Sequence, residues 1–286
     1  MKQLTILSGK GGTGKTSITA SLAVLAKKAV VADCDVDAPD LHMLLQPEVL
    51  EKREFSASKV AAIDKTKCTQ CGLCKENCAF DAISDDLTVE AATCEGCGVC
   101  KLVCPSEAVT LVTRVSGETY LSKTAYGFMS HAQLYPGEAN SGKLVTLVRQ
   151  NAKILAGKEH LDLILIDGSP GIGCPVIASI TGADAALVVT EPTLSGIHDL
   201  ERVLKLLDHF HVASFVCINM YDINTANTNK LLDFCKANSA EVVGILPYAP
   251  EVTQAMIKGK TVVEYAPESG IAQEISSMWS KISASL

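Results

Sequence analysis

Three sets of residues in this chain have the types and spacing that chemistry needs. The first is Gly9-Lys10-Gly11-Gly12-Thr13-Gly14-Lys15-Thr16, which fits G-x-x-x-x-G-K-S/T between an apolar strand-like run and a helix-like segment. Such a loop holds a polyphosphate: its glycines let backbone N–H groups curl around phosphate oxygens, and the helix N-terminus adds positive potential. Lys15 would reach the β- and γ-phosphates, and the Thr16 hydroxyl would ligate Mg²⁺. The second is Leu161-Asp162-Leu163-Ile164-Leu165-Ile166-Asp167, an apolar strand ending in a carboxylate that can hold the Mg²⁺ shell from the strand's tip. A second near-match, Gly137 to Leu144, puts Leu144 where the metal-binding hydroxyl belongs, so we read it as a turn opening a helix.

The third set is cysteine. Cys68, Cys71, Cys74 and Cys78 repeat their spacing in Cys94, Cys97, Cys100 and Cys104, with Pro105 after the second run. The spacing C-x2-C-x2-C-x3-C is the bacterial ferredoxin run, and eight cysteines match two 4Fe-4S clusters. In two-cluster ferredoxins the fourth cysteine of each run crosses over. That assigns Cys68, Cys71, Cys74 and Cys104 to one cluster and Cys78, Cys94, Cys97 and Cys100 to the other. Zinc also accepts C-x2-C pairs, but two zinc sites would not need the fourth cysteine three residues on. Ala79 replaces the proline of the first run. With every ligand supplied by cysteine, the clusters suit passing electrons.

The elements that must position these groups follow from the hydrophobic pattern. Continuous apolar runs at Leu4–Leu7, Ala29–Ala32, Leu161–Ile166, Ala185–Val189, Phe215–Ile218 and Val242–Leu246 suit strands buried on both faces. Helical spacing between several of them, as at Ile18, Leu22 and Leu25, predicts a doubly wound, mostly parallel α/β sheet. The cysteine runs interrupt this pattern, so residues 57–117 are expected to form an inserted ferredoxin domain within a nucleotide-binding domain of residues 1–56 and 118–286.

Composition narrows the partners. A net charge of −7 lacks the basic footprint of a nucleic-acid binder. No export signal and no apolar run long enough for a bilayer is visible, so the expectation is a soluble, cytoplasmic protein with reduced thiols. The tail places Ile275, Met278, Trp279 and Ile282 on one helical face. With only Lys281 for positive charge, docking onto the domain is the better reading than membrane binding.

The motif K-G-G-x-G-K-T resembles the deviant phosphate loop of MinD and ParA ATPases, Mrp-type carriers and nitrogenase iron protein. End to end the chain resembles MinD-superfamily P-loop ATPases containing an inserted ferredoxin domain, through the cysteine runs, S-G-K-L-V, D-G-S-P-G-I-G-C-P and E-P-T-x-S-G-x-H-D-L. The resemblance implies that Lys10 contacts the nucleotide of a facing protomer in a homodimer or a heterodimer with a paralogue. It makes Asp35, supported by Asp33, the residue that positions the attacking water near Mg²⁺, and Gly168-Ser169-Pro170-Gly171 a switch that senses the γ-phosphate. It makes Asn219 and Pro247 contacts of an adenine base. Met220 departs from the N-K-x-D of GTPases, while Asp222 keeps guanine open. Cys174 resembles a switch cysteine of nitrogenase iron protein, but no second core cysteine matches it, and a buried or inert thiol is the favoured reading. The implied function is ATP-gated electron transfer to a redox or metal-cluster-bearing protein, with cluster delivery and MinD-like positioning as alternatives. The segment Glu191–Leu200 carries no assigned chemistry.

Overall fold

A computed structural model describes residues 1–138 and 141–286. The chain opens with β1 (Lys2–Leu7), α1 (Lys15–Ala26), β2 (Ala29–Asp33), α2 (Leu41–Leu45) and β3 (Glu48–Phe55). Next come β4 (Ser58–Ile63), the helical turns α3 (Leu73–Glu76) and α4 (Val99–Leu102), β5 (Val109–Arg114), β6 (Gly117–Thr124) and β7 (Gly127–Leu134). The remainder alternates α5 (Ser141–Lys158), β8 (Leu163–Asp167), α6 (Cys174–Ile180), β9 (Ala185–Thr190), α7 (Leu194–His209) and β10 (Ala213–Ile218). It ends with α8 (Thr225–Ala237), β11 (Glu241–Ile245), α9 (Pro250–Ile257), α10 (Val262–Tyr265) and α11 (Gly270–Ser285).

Two compact units result. One comprises Met1–Arg53, Thr119–Gln133 and Ser141–Leu286; the other comprises Glu54–Glu118 and Leu134–Asn140, of which 139–140 lie outside the described residues. The turn expected before α5 includes those two residues and shares that exclusion.

Among the described residues the sheet of the first unit runs β11-β10-β9-β1-β8-β2-β7-β6-β3. β1 is paired in parallel on both sides, with β8 and β9, and β2 pairs in parallel with β8. β1 and β2 therefore flank β8, and the chain's next parallel strands extend the sheet past β1 in the opposite direction. This reversal is the switch point of an open α/β sheet, where loops leaving the carboxyl ends of neighbouring strands diverge and leave a crevice. The strands there are Val-, Ile- and Leu-rich because helices cover both faces. One face packs Leu4, Ile6 and Leu187 against α1 and α11, and the other packs Leu7, Val188 and Val216 against α6, α7 and α8.

α11 docks as the tail pattern predicts. Its N-cap is Ser269, whose hydroxyl accepts from Ala272 N. Ile271, Ile275, Met278 and Ile282 are buried, and Trp279 packs beside them. At about 1.5–3 kcal/mol for each buried side chain, this face contributes roughly 6–12 kcal/mol before entropy is subtracted. Gly244 on β11 makes the approach possible, since a Cβ there would lie 2.6 Å from Met278 Sδ.

The sheet also extends past β2, through strands outside the apolar runs named from the sequence. β7 pairs in parallel with β2, and β6 follows β7 as the other arm of a hairpin joined by Ala125-Tyr126, with β3 at the edge. These strands escape a search for continuous apolar runs because polar residues interrupt them: β7 buries Ser130 and His131 between Met129 and Ala132, and β6 is only partly buried. β3, Glu-Val-Leu-Glu-Lys-Arg-Glu-Phe, is exposed along most of its length, and its charges suit an edge that must not recruit another strand.

In the second unit β4 and β5 pair antiparallel from Ser58↔Arg114 to Ile63↔Val109. Its small core is Ala61, Ile83, Leu87 and Val109 together with Cys74 and Cys100. Gly72 and Gly98 occupy equivalent left-handed positions, φ 79° and 83°, before the two helical turns, as the doubled sequence motif requires.

Candidate nucleotide and cluster sites

The carboxyl ends of β1, β2 and β8 bring the predicted phosphate-binding groups together. Gly14, at φ 87°, turns the chain into α1, and Lys15 is the first helical residue. A Cβ on Gly11 or Gly12 would meet nothing within 4 Å, so the loop's backbone is open on that side. Lys15 Nζ lies 2.8 Å from Asp167 Oδ1 and 3.6 Å from Asp35 Oδ2. The Thr16 hydroxyl donates to Asp167 Oδ2 at 2.9 Å. Thr19, which no sequence motif singles out, donates to Asp167 Oδ1 at 2.8 Å from one helical turn further on.

The electrostatics of this cluster are unbalanced. Lys15 and Asp167 are only 6% and 1% exposed, and Asp33 is fully buried beside them. Burial opposes the charge of Lys15, but Asp167, Asp35 and Asp33 outweigh it and raise its pKa. Burial, and then Asp167, push Asp33 well above the carboxylate range. Asp35 is pushed up to about 6, by burial first, with Lys15 pulling it back and Asp167 adding to the rise. Asp35, Asp167 and the Thr16 hydroxyl supply oxygen donors of the kind a hard divalent cation takes. Among the described residues, Asp33 Oδ2 and Thr13 Oγ1 are buried polar atoms with no hydrogen-bond partner, which fits a site shaped for additional polar groups.

Behind the phosphate loop, Ser169 Oγ donates to Cys34 O at 2.7 Å, and Gly171 N, at φ 95°, donates to Ser8 O at 2.9 Å. The Gly168–Gly171 segment is thereby tied both to the acidic loop after β2 and to the phosphate loop. Asn219 Nδ2 donates to Thr13 O at 2.9 Å, and Tyr248 N donates to Asp222 Oδ1 at 2.7 Å. A cavity of about 470 Å³, within the range of small-molecule sites, is lined by the phosphate loop, Asp35, Pro170, Asn219 and Pro247. Gly9 and Lys10 stand apart from it. Lys10 Nζ instead lies 2.7 Å from Glu191 Oε1, and a Cβ on Gly9 would lie 2.3 Å from Asp199 Cβ.

The sequence profile of the CobQ/CobB/MinD/ParA nucleotide-binding domain matches residues 4–262. The chain belongs to this family. Two uncharacterized proteins of Methanocaldococcus jannaschii resemble it: MJ0578, 38% identical over 79% of this chain and 80% of its own length, and MJ0579, 25% identical over 96% of both. The septum site-determining protein MinD of Synechocystis is 25% identical over 91% of this chain and 81% of its own. Among solved structures, MinD of Pyrococcus horikoshii complexed with Mg-ADP covers 98% of this chain with 95% of its own, at a TM-score of 0.61 and 20% identity. That likeness concerns the fold: an α/β P-loop architecture with a mostly parallel central sheet. No helix among the described residues of this CobQ/CobB/MinD/ParA family member is long and apolar enough to cross a membrane.

The cysteines of the second unit fall into two groups. Cys78, Cys94, Cys97 and Cys100 line one small cavity, and Cys68, Cys71, Cys74 and Cys104 line another. Backbone N–H groups donate to four of the sulfurs: Ala61 to Cys94, Gln70 to Cys68, Ala82 to Cys78 and Ala108 to Cys104, at 3.3–3.5 Å. Among the described residues no three His, Cys, Asp or Glu side chains converge as they would around one metal ion. Each of the two cavities presents four cysteine sulfurs, the ligand number of one 4Fe-4S cluster. Outside these groups Cys34, Cys217 and Cys235 are buried, but Cys174 is exposed, which removes the first half of the expected buried or inert thiol. It sits at the start of α6 beside Gly142, a position that an apolar-run search does not register.

Proposed function

We propose that this chain hydrolyses ATP as a nucleotide-bridged dimer and couples that switch to electron transfer through two 4Fe-4S clusters in its second unit. The reading rests above all on the sorting of eight cysteines into two fours, with hydrogen bonds aimed at their sulfurs, in a member of a nucleotide-binding family. Bound there, the clusters would supply one-electron chemistry, and the hydrogen bonds to sulfur would help set their potentials.

At the nucleotide site the phosphate-loop N–H groups of Gly11 to Lys15 hold the phosphates, and Lys15 neutralises charge between β and γ. Thr16, Asp35 and Asp167 are the residues that would hold Mg²⁺, which supplies further charge neutralisation when bound. Asp35 orients water for attack on the γ-phosphorus; the bond to the bridging oxygen breaks, giving ADP and phosphate. Ser169 and Gly171 transmit the change to the acidic loop and the phosphate loop. ATP is favoured over GTP because Met220 replaces the guanine-site lysine and Asp222 is engaged with the Tyr248 backbone. The expected partners are a second copy or a paralogue, and a redox or metal-cluster-bearing protein.

A MinD-like positioning ATPase is the second reading, and the names of the septum site-determining relatives favour it. The burial of the apolar face of α11 weighs against a membrane-binding tail in that role. The test uses anaerobically prepared protein. Electron-transfer coupling predicts that ATP turnover differs among oxidised, reduced and iron-stripped states, and that Mg-ATP and Mg-ADP give different cluster potentials. Identical turnover and identical potentials would leave the positioning reading.

A further inference from the structure

We propose that Ser106 and Glu95 make the two cluster sites unequal, so that the site of Cys68, Cys71, Cys74 and Cys104 takes up the first electron. This rests on the two-cluster reading above and deepens it, by ranking the two sites.

The two cysteine runs share more than their spacing. Gly72 and Gly98 occupy equivalent left-handed positions, and so do Asp81 and Glu107, at φ 49° and 50°. Asp81 N donates to Cys78 O and Glu107 N to Cys104 O, both at 3.3 Å. Ala82 N donates to Cys78 Sγ at 3.4 Å and Ala108 N to Cys104 Sγ at 3.3 Å. The backbone therefore follows one path after both fourth cysteines. Residue for residue, Phe80 stands where Ser106 stands, and Thr69 where Glu95 stands.

Much of what sets a cluster's potential is therefore matched between the sites. Each group of four receives two backbone donors, from Ala61 and Ala82 in one and from Gln70 and Ala108 in the other. Each has one exposed cysteine, Cys97 or Cys71, and one of its helical-turn cysteines, Cys100 or Cys74, is buried. Two side chains break the match. Ser106 Oγ lies 3.6 Å from Cys104 Sγ. An iron-bound cysteine is a thiolate with no proton to give, so the hydroxyl is the donor. Phe80, in the matching place, lines the other cavity with an apolar ring and has no side-chain donor. Glu95 also lines that other cavity, whereas the uncharged Thr69 lines the cavity of Ser106.

Both differences have the same sign. An added electron makes the sulfurs more negative, so a hydroxyl donor favours the reduced form, and a nearby carboxylate opposes it. Ser106 is half-buried and Glu95 is exposed, so water screens the carboxylate and the hydroxyl has the larger effect. One electron supplied by an external reductant then resides at the Ser106 site, and the Phe80 site is reduced second. A preference of about tenfold corresponds to about 59 mV for a one-electron couple.

An anaerobic titration with dithionite, read by the paramagnetic signal of the reduced clusters, measures this in the full chain reconstituted to about eight irons. The unaltered protein should show two potentials. Ser106→Ala should lower the higher one by about 59 mV, a tenfold loss, and leave the other in place, while Ser106→Thr, which keeps the hydroxyl, should hold the original value. Phe80→Ser puts a hydroxyl in the matching turn and should raise the lower potential by a similar amount, with a smaller rise for Glu95→Gln. A higher potential that does not move in Ser106→Ala, or a fall of the lower one instead, would overturn the ranking and leave the two-cluster reading standing. Should Ser106→Ala fail to retain its iron, an unmoved lower potential in Phe80→Ser overturns the ranking in its place. Unaltered protein that gives no cubane signal would remove the two-cluster reading, and the ranking with it.

Discussion

Asp167→Asn is the most informative single change in the first unit, because Asp167 joins the stability of the empty fold to its use of Mg²⁺. The carboxylate accepts from Lys15, Thr16 and Thr19 at 2.8–2.9 Å, in surroundings almost closed to water. Removing one partner of such a buried pair costs about 3–5 kcal/mol. Asp35 stays 3.6 Å from Lys15, and both Asp33 and Asp35 are relieved of a negative neighbour, which places the expected loss near the lower end, about 3 kcal/mol. The one tryptophan, Trp279, packs against the core of this unit, so its fluorescence follows this unit's unfolding in urea. With an m-value of about 2 kcal/mol/M, the midpoint should fall by about 1.5 M without nucleotide. Unaltered protein should gain about 2.7 kcal/mol from an Mg-ATP analogue at a hundredfold excess over Kd. The variant should gain only what the analogue gives without Mg²⁺. A nucleotide-free loss below about 1 kcal/mol, or an unchanged Mg²⁺-dependent gain, would refute the account of Asp167 as hub of the site.

Three further outcomes are expected. Gly14→Ala combines φ +87° with a Cβ only 2.4 Å from Asn219 Nδ2, so strain of about 2–3 kcal/mol should weaken nucleotide binding roughly 100-fold in a fluorescent-nucleotide titration. If the fourth cysteines cross over, the double variant Cys78→Ser with Cys97→Ser should keep about four of eight irons after reconstitution, because both changes strike one cluster; loss of both clusters would show that the runs do not cross. His131, whose pKa burial and then His42 lower to about 4, stays neutral in the fold while the unfolded chain protonates near 6.5. The unfolded state therefore binds more protons in that window, and stability should fall by about 3 kcal/mol as pH drops from 6.5 to 4. Replacement by Gln, which can keep a bond to Ser122, should flatten that part of the urea midpoint's pH profile.

Much of the site was legible because its signals are local. The phosphate loop is eight consecutive residues whose glycines and lysine act through their own backbone and reach, and Asp167 ends a strand whose apolar run is unbroken. Asp35 was harder, since four carboxylates share one loop and only the fold shows that Asp35 approaches Lys15 while Asp33 is buried. Thr19 was invisible for a related reason: a threonine in a helix acquires a role only when a strand distant in sequence places a carboxylate over it.

The sequence by itself determined the chemistry that short-range spacing can encode: a polyphosphate loop, a strand-end carboxylate, two cysteine runs, and the parallel strands whose apolar runs announce burial on both faces. Tertiary structure alone decided which distant groups meet. It extended the sheet through β7, β6 and β3, whose buried polar residues or edge exposure leave only a weak pattern in the chain. It also brought Glu191 to Lys10, because adjacency of β1 and β9 arises from sheet order, and sheet order is set by long-range packing that no window of sequence contains.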